Sequence, residues 1–291
     1  MVSADLLANA VAAGILLGGF YAAVAIGLAI VFGQLDIVNI AHPAFIIVGS
    51  YIAWIVNSTF GLDPVLIGVV AAPVFFVVGV AIYRIYYAAF ERTGQESLSG
   101  LAFFFGVMFI IEVVLILVYG VDYRLVRADY IGRTWSVGFV DFPLRMLVPF
   151  AVAVALTAGI YLYLSRTFMG RAIQAVAQDR LALQLMGADP VRIKQWAFGL
   201  GIATAAIAGA LLIIIGPVEP SVGRQYIGRV FAIVVLGGMG SIQGMFIAAL
   251  ILGIVESMVS TFVGPSWSPA VAFGVLALTL ALRPAGLFGR Q

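Results

Sequence analysis

The chain has 291 residues, 64% of them hydrophobic and only 10% charged, with a mean hydropathy of +1.17. A soluble domain carries about 25% charged residues, so this sequence excludes a water-surrounded core, a disordered tail and a cytosolic enzyme. The net charge of +2 offers no basic patch for nucleic acid, and the absence of Cys rules out disulfides and thiolate chemistry. The chain is an integral membrane protein.

Runs free of Asp, Glu, Lys and Arg cover 6–35, 37–62, 64–83, 147–164, 195–218, 230–255 and 257–282. An eighth, 97–119, is interrupted only by Glu112. A hydrocarbon core about 30 Å thick needs roughly 20 apolar residues in a helix, and helices satisfy their own backbone in lipid. The predicted fold class is therefore all-α: a polytopic helical membrane protein of about eight transmembrane helices. A porin-type barrel would instead show alternating segments of about 10 residues. The start, Met1-Val2-Ser3-Ala4-Asp5, lacks the basic flank of a signal peptide, so the first run is expected to be a retained span.

The first irregular stretch is 33–43, rich in Gly and polar residues. Asp36, Asn39 and His42 step by three, which on a helix places them on one side. They either line the mouth of a translocation path or hold a broken backbone by hydrogen bonds. Pro43, lacking an N–H, fits the start or a kink of a membrane helix. The aromatic stretches 83–87 and 103–105 are expected to face lipid or the interface. Glu112, inside its run, and Glu256, at the junction of two runs, are each either a buried interhelical partner or a pathway residue.

Between the fifth and sixth runs, 171–186 contains no helix breaker, and Ile173, Val176, Ala177 and Leu181 recur at helical spacing. Gly187 suits a left-handed C′ position. Asp189 and Pro190 read as the N-cap and first residue of a second helix. The resulting elbow, 165–194, carries Arg166, Arg171, Arg180, Arg192 and Lys194 against Asp179 and Asp189, which places it in the cytoplasm. Counting spans puts Arg84 and Arg92 on the same side, and 120–146 and 219–229 outside. Eight simple crossings would then carry the tail with Arg283 and Arg290 outside, against the same rule. One run is therefore expected to be broken or re-entrant. The candidates are 33–43 and 237–244 (Gly-Gly-Met-Gly-Ser-Ile-Gln-Gly), one in each half, as in transporters built from internal repeats. Small residues at Gly14, Gly18, Gly240, Gly244 and Gly253 suit close helix packing within the subunit.

The segment Gly33 to Asn39-Ile40-Ala41-His42, the elbow 170–194, the stretch 236–241 and the tail 282–290 resemble the Liv-type permease subunits of branched-chain amino acid ABC importers. The resemblance runs over nearly the whole length. It implies a single transmembrane permease domain, 1–291, in the bacterial inner membrane, with the elbow as the coupling loop. In the family's Glu-Ala-Ala-x-x-x-Gly motif, Ala182 and Gly187 match, Leu181 replaces the Glu, and Asp189 and Pro190 follow. Pro43 replaces the Gly of the family's Asn-x-Ala-His-Gly. The implied partners are two ATP-binding subunits, a second homologous permease and a periplasmic substrate-binding protein. ATP is bound by the partners, and no cofactor or metal is expected in this chain.

The residues agree with a non-enzymatic role. With one His and no Cys, a nucleophile–base set or a zinc site is not available. The only Lys, Lys194, follows Val191-Arg192-Ile193 and so belongs to no phosphate-binding loop. The alternative is a self-sufficient secondary transporter or channel, for which Asp36, Asn39, His42 and Glu112 are the available polar groups.

Overall fold

A computed structural model describes residues 4–92, 94, 97–138 and 140–289, with the backbone alone at 97 and 180–182. Its helices are α1 (Ala4–Leu35), α2 (His42–Phe60), α3 (Pro64–Tyr86, continued by a π-helical turn, Tyr87–Glu91), α4 (Ser97–Tyr119), α5 (Leu144–Arg166), α6 (Phe168–Val176), α7 (Arg180–Leu185), α8 (Pro190–Ile215), α9 (Gly223–Gly237), α10 (Ile242–Phe262) and α11 (Ser268–Leu282). A small antiparallel hairpin, β1 (Thr134–Val137) and β2 (Val140–Pro143), precedes α5. It is the one two-stranded sheet among the described residues.

Among the described residues, eight helices are long and apolar enough to cross a membrane. Two of them, α1 and α8, have 83% of their most apolar window buried, against 11–33% for α3, α4, α5, α10 and α11. A helix apolar on all sides belongs in the centre of a bundle, and α1 and α8 form that centre. Close approach depends on glycine. A Cβ at Gly14 or Gly18 of α1 would lie 2.6 Å from the Ile254 or Leu250 Cα of α10. The Gly14/Gly18 spacing thus packs within the subunit, as expected. Gly240 contributes differently, since it lies in a turn at φ 85° rather than on a helix.

The two faces of the bundle follow from contacts. On the elbow face, the Gln34 side chain at the end of α1 donates to Gly240 O at 3.0 Å. A cleft of about 480 Å³ there is shared by Gln34, Leu164, Gln174, Gln178 and Phe288. On the opposite face, Asn9 near the start of α1 accepts from Asp141 N at 2.9 Å. Asn57 near the end of α2 holds Arg127 through N–H and C=O, both at 2.9 Å. Arg124 there pairs with Val218, just beyond α8.

The chain breaks twice inside the bundle. After α1 reaches the elbow face, 36–41 runs back without helix and α2 starts at depth, with His42 hydrogen-bonded to Val24 O, about three turns inside the α1 end. After α8 reaches the opposite face, 216–222 runs inward and α9 starts beside α2. There a Cβ on Gly223 would meet Ile47 at 3.0 Å and Pro43 O at 3.3 Å. The two units, α1–break–α2 and α8–break–α9, run in opposite senses. Their following helices exchange partners: α3 packs on α8 and α10 packs on α1. This is the inverted arrangement of two halves that the two interrupted segments suggest.

The second break therefore lies at 216–222 rather than at 237–244, which is the turn from α9 to α10 on the elbow face. The run 230–255 spans that turn, so charge-free length alone fuses two elements. Eight spans plus α9 make nine passages among the described residues, and the nonapolar first half of α9 hides the ninth. The tail then emerges on the elbow face, where Leu287 N donates to Leu236 O at 2.8 Å. This removes the conflict over Arg283; Arg290 and residues 1–3 lie outside the described residues.

The α1–α10 contact gives a direct test. Gly18→Leu must push α10 away and should cost at least about 1–3 kcal/mol, whereas Gly106→Leu in α4 meets open space. Detergent-solubilised Gly18→Leu should melt well below the parent, and Gly106→Leu should match it.

Candidate functional site

At the first break, α1 ends because Asp36 adopts a left-handed conformation, φ 57°, which a short polar side chain tolerates. Asn39 N donates to Ile37 O at 3.0 Å and His42 N to Asn39 O at 3.3 Å. Pro43 sits in the first turn of α2, where its missing N–H costs nothing. His42 is fully buried, and its Nε2 lies 3.2 Å from Val24 O. A carbonyl only accepts, so Nε2 carries the proton and Nδ1 faces inward bare. Neither Nδ1 nor the Asn39 amide has a hydrogen-bond partner among the described residues. Asp36 is exposed on the elbow face. The three residues do not share a helix side, because the left-handed turn and the proline keep 36–41 out of the helix. Only Asn39 and His42 stay inside.

The buried carboxylates find arginines from a single element, α9. Glu112 of α4 accepts from Arg224 Nε at 2.8 Å and Nη2 at 2.6 Å. Glu256 of α10 accepts from Arg229 Nε at 3.0 and 3.2 Å and from Tyr21 of α1 at 2.5 Å. The Arg224–Glu112 pair is bidentate, two parallel N–H···O bonds and the strong form of such contacts, whereas Arg229 shares its one Nε–H between the two Glu256 oxygens. Both glutamates are interhelical partners, and α9 is pinned to α4, α10 and α1. Sequence reasoning assigns Arg224 and Arg229 to an outer loop; they lie on a membrane helix. The signal was the two carboxylates themselves, since each ionised group inside a span needs a counter-charge.

The elbow is more broken than the sequence predicts. A helix over 171–186 is interrupted at 177–179, giving α6 and α7, because Gln178 N and Asp179 N both turn back to Ala175 O. Buried Ile173, Val176 and Leu183 hold these pieces to the bundle. Gly187 has φ 80°, the left-handed geometry expected after a helix. Asp189 caps α8, accepting from Val191 N at 2.9 Å and Arg192 N at 3.4 Å, with Pro190 first in the helix. The second helix of the elbow is thus the start of a full span. Ala182 lies in α7, but its side chain is outside the described residues. Leu185 and Met186, beside Gly187, are over 80% exposed.

One turn into α8, Lys194 pairs with Glu91 at the end of the π-helical turn; the two side chains are 3% and 8% exposed. Glu91 also accepts from Tyr83 at 2.7 Å. Beneath them Tyr86, Phe104 and Phe198 stack at 5.3 and 5.7 Å between centroids. The aromatic stretches 83–87 and 103–105 thus do not simply face lipid: Tyr83, Tyr86 and Phe104 are core, while Phe105 is exposed. Consecutive aromatics fall on different sides of a helix, so composition alone could not divide them.

A bundle with two breaks of opposite sense, charged pairs inside, and a helical elbow at one face defines a multi-pass transport protein. Residues 10–280 match the family described as branched-chain amino acid transport system, permease component, and the chain belongs to it. The chain is similar to the high-affinity branched-chain amino acid transport system permease protein BraD of Pseudomonas aeruginosa, 30% identical over 95% of this chain and 94% of the relative. LivH of Escherichia coli K12 gives the same identity and shares. LivM of Escherichia coli K12 is 28% identical over 92% of this chain and 67% of its own length. No solved structure matches the chain.

Removing one member of a buried pair leaves the other charge unpaired, at a cost of about 3–5 kcal/mol. Lys194→Met should therefore lower the melting temperature in detergent sharply, and Lys194→Met/Glu91→Leu should recover most of the loss.

Proposed function

We propose that the chain is a permease subunit of an ABC importer for branched-chain amino acids or a related small polar solute. It would form half of the pathway with a second homologous permease and be driven by two separate ATP-binding subunits. Its similarity to both LivH and LivM, named as permeases of branched-chain amino acid transport, supports a paired arrangement. A periplasmic binding protein would deliver substrate to the opposite face, and the elbow face would be cytoplasmic, in keeping with its basic residues.

The observation that carries this reading is the elbow. Leu185 and Met186 are exposed at the turn that precedes α8, beside a left-handed Gly187 and a capped Asp189–Pro190 start. An apolar knob at a helix-turn is what an ATPase groove can grip. Force applied there enters α8 directly, and through Lys194–Glu91 it reaches α3. The chain's own residues supply no engine, so it would move only when the elbow is moved.

Two outcomes follow. Gly187→Val forces a β-branched residue into a left-handed conformation at about 1–2 kcal/mol or more. In reconstituted complexes it should leave ATP hydrolysis near the parent rate while uptake falls several-fold. The chain reconstituted alone should neither concentrate amino acids nor pass current; accumulation by the isolated subunit overturns the assignment in favour of a self-sufficient transporter.

A further inference from the structure

Arg224 is placed where lipid cannot accept it. It is the second residue of α9, which opens at the depth of Pro43. Its partner Glu112 lies about two turns inside the α4 end at Tyr119. Both positions lie at the level of the apolar spans Leu98–Tyr119 and His42–Phe60. Yet the Arg224 side chain is 55% exposed, against 8% for Glu112, and the neighbouring Gln225 is exposed as well. The nearby outward face of α4 shows what a lipid surface looks like in this molecule: Phe109, Ile110, Val114 and Leu117, each at least half exposed. Arg224 does not snorkel to the interface, because its Nε and Nη2 are held by Glu112 at 2.8 and 2.6 Å. Its remaining nitrogen, Nη1, makes no protein hydrogen bond among the described residues, so its two N–H groups and the second N–H of Nη2 are left outside the pair. An open guanidinium edge at this depth must meet water, a partner subunit or a solute.

We infer that the Arg224–Glu112 pair is a station within the pathway for the carboxylate of the transported amino acid. This rests on the permease reading above and deepens it. The solute's carboxylate accepts from the free edge of Arg224, while Glu112, only 8% exposed behind it, balances the guanidinium's charge. Gln225 extends the polar strip along α9. Charge favours this match. A zwitterion has no net charge, and neither has the pair, so their meeting moves no net charge into low dielectric. An uncompensated Arg would be costly at this depth and would grip a carboxylate too firmly to release it. A pair already satisfied holds its passenger weakly, as a pathway requires.

The test uses the full complex in proteoliposomes with its binding protein and ATP. Glu112→Gln/Arg224→Gln keeps shape and neutrality but removes both charges, and should cut leucine uptake by about tenfold or more while binding-protein-stimulated ATP hydrolysis stays within about twofold. Uptake within about twofold of the parent overturns the inference. Glu112→Arg/Arg224→Glu restores an ion pair and would recover uptake if the residues only clamp helices, which also overturns it; continued loss supports it. A third arm asks whether the strip is wet without relying on either charge. The chain has no native Cys, so Gln225→Cys should react with a charged, membrane-impermeant thiol reagent about tenfold faster than Val114→Cys on the α4 lipid face. Equal rates overturn the inference. A parent complex that turns over ATP but takes up no amino acid defeats the permease reading itself, and is seen before any variant is compared.

Discussion

Hydrocarbon supplies no hydrogen bonds and almost no screening, and the whole architecture answers that constraint. A helix meets it by default; each departure from helix or from apolar side chains needs a protein partner. At the first break the freed backbone is taken up by short local turns from Asp36 to His42, and the imidazole reaches across to Val24 O. At the second break, Val218 pairs with Arg124 through both N–H and C=O, at 3.0 and 2.8 Å. The same constraint places Arg224 and Arg229 on one short helix, opposite the two carboxylates that lie deepest in the spans.

The two breaks also set the mechanics. Because α2 and α9 each begin inside the bundle, neither is tied to both faces by a continuous rod. The central pair α1 and α8 spans the full thickness and is clasped through glycine and alanine contacts to α10 and α3. A rigid centre with half-helices at its side suits a two-state gate, in which one unit moves against another as a body. The elbow is continuous with α8 through the Asp189 cap, and the Lys194–Glu91 pair extends that continuity to α3. Motion at the elbow face therefore has a short, stiff route to the core.

Within this frame α9 has an unusual load. It is too short to count as a span, it carries two arginines, and it touches α1, α2, α10 and α11. Arg229, with Tyr21 and Glu256, is sealed inside and acts as a fastening. Arg224 is open on one edge. One helix thus holds a structural charge pair and an accessible one about one and a half turns apart.

The amino-acid sequence by itself determined that the chain lives in a membrane, that its spans are helical, and where helices start and stop when local chemistry decides: the left-handed Gly187, the Asp189 cap, Pro43 in a first turn. These are short-range matters, set by residues a few positions apart. Glu112 and Glu256 were legible as groups in need of partners, but not who those partners were. Tertiary structure decided that α9 is a membrane helix, that Asp36 parts company from Asn39 and His42, that the aromatic stretches split between core and lipid, and that the tail returns to the elbow face. Each of these depends on which distant segment lies alongside, and arginine looks the same in a loop as in a span until its carboxylate is brought within 3 Å.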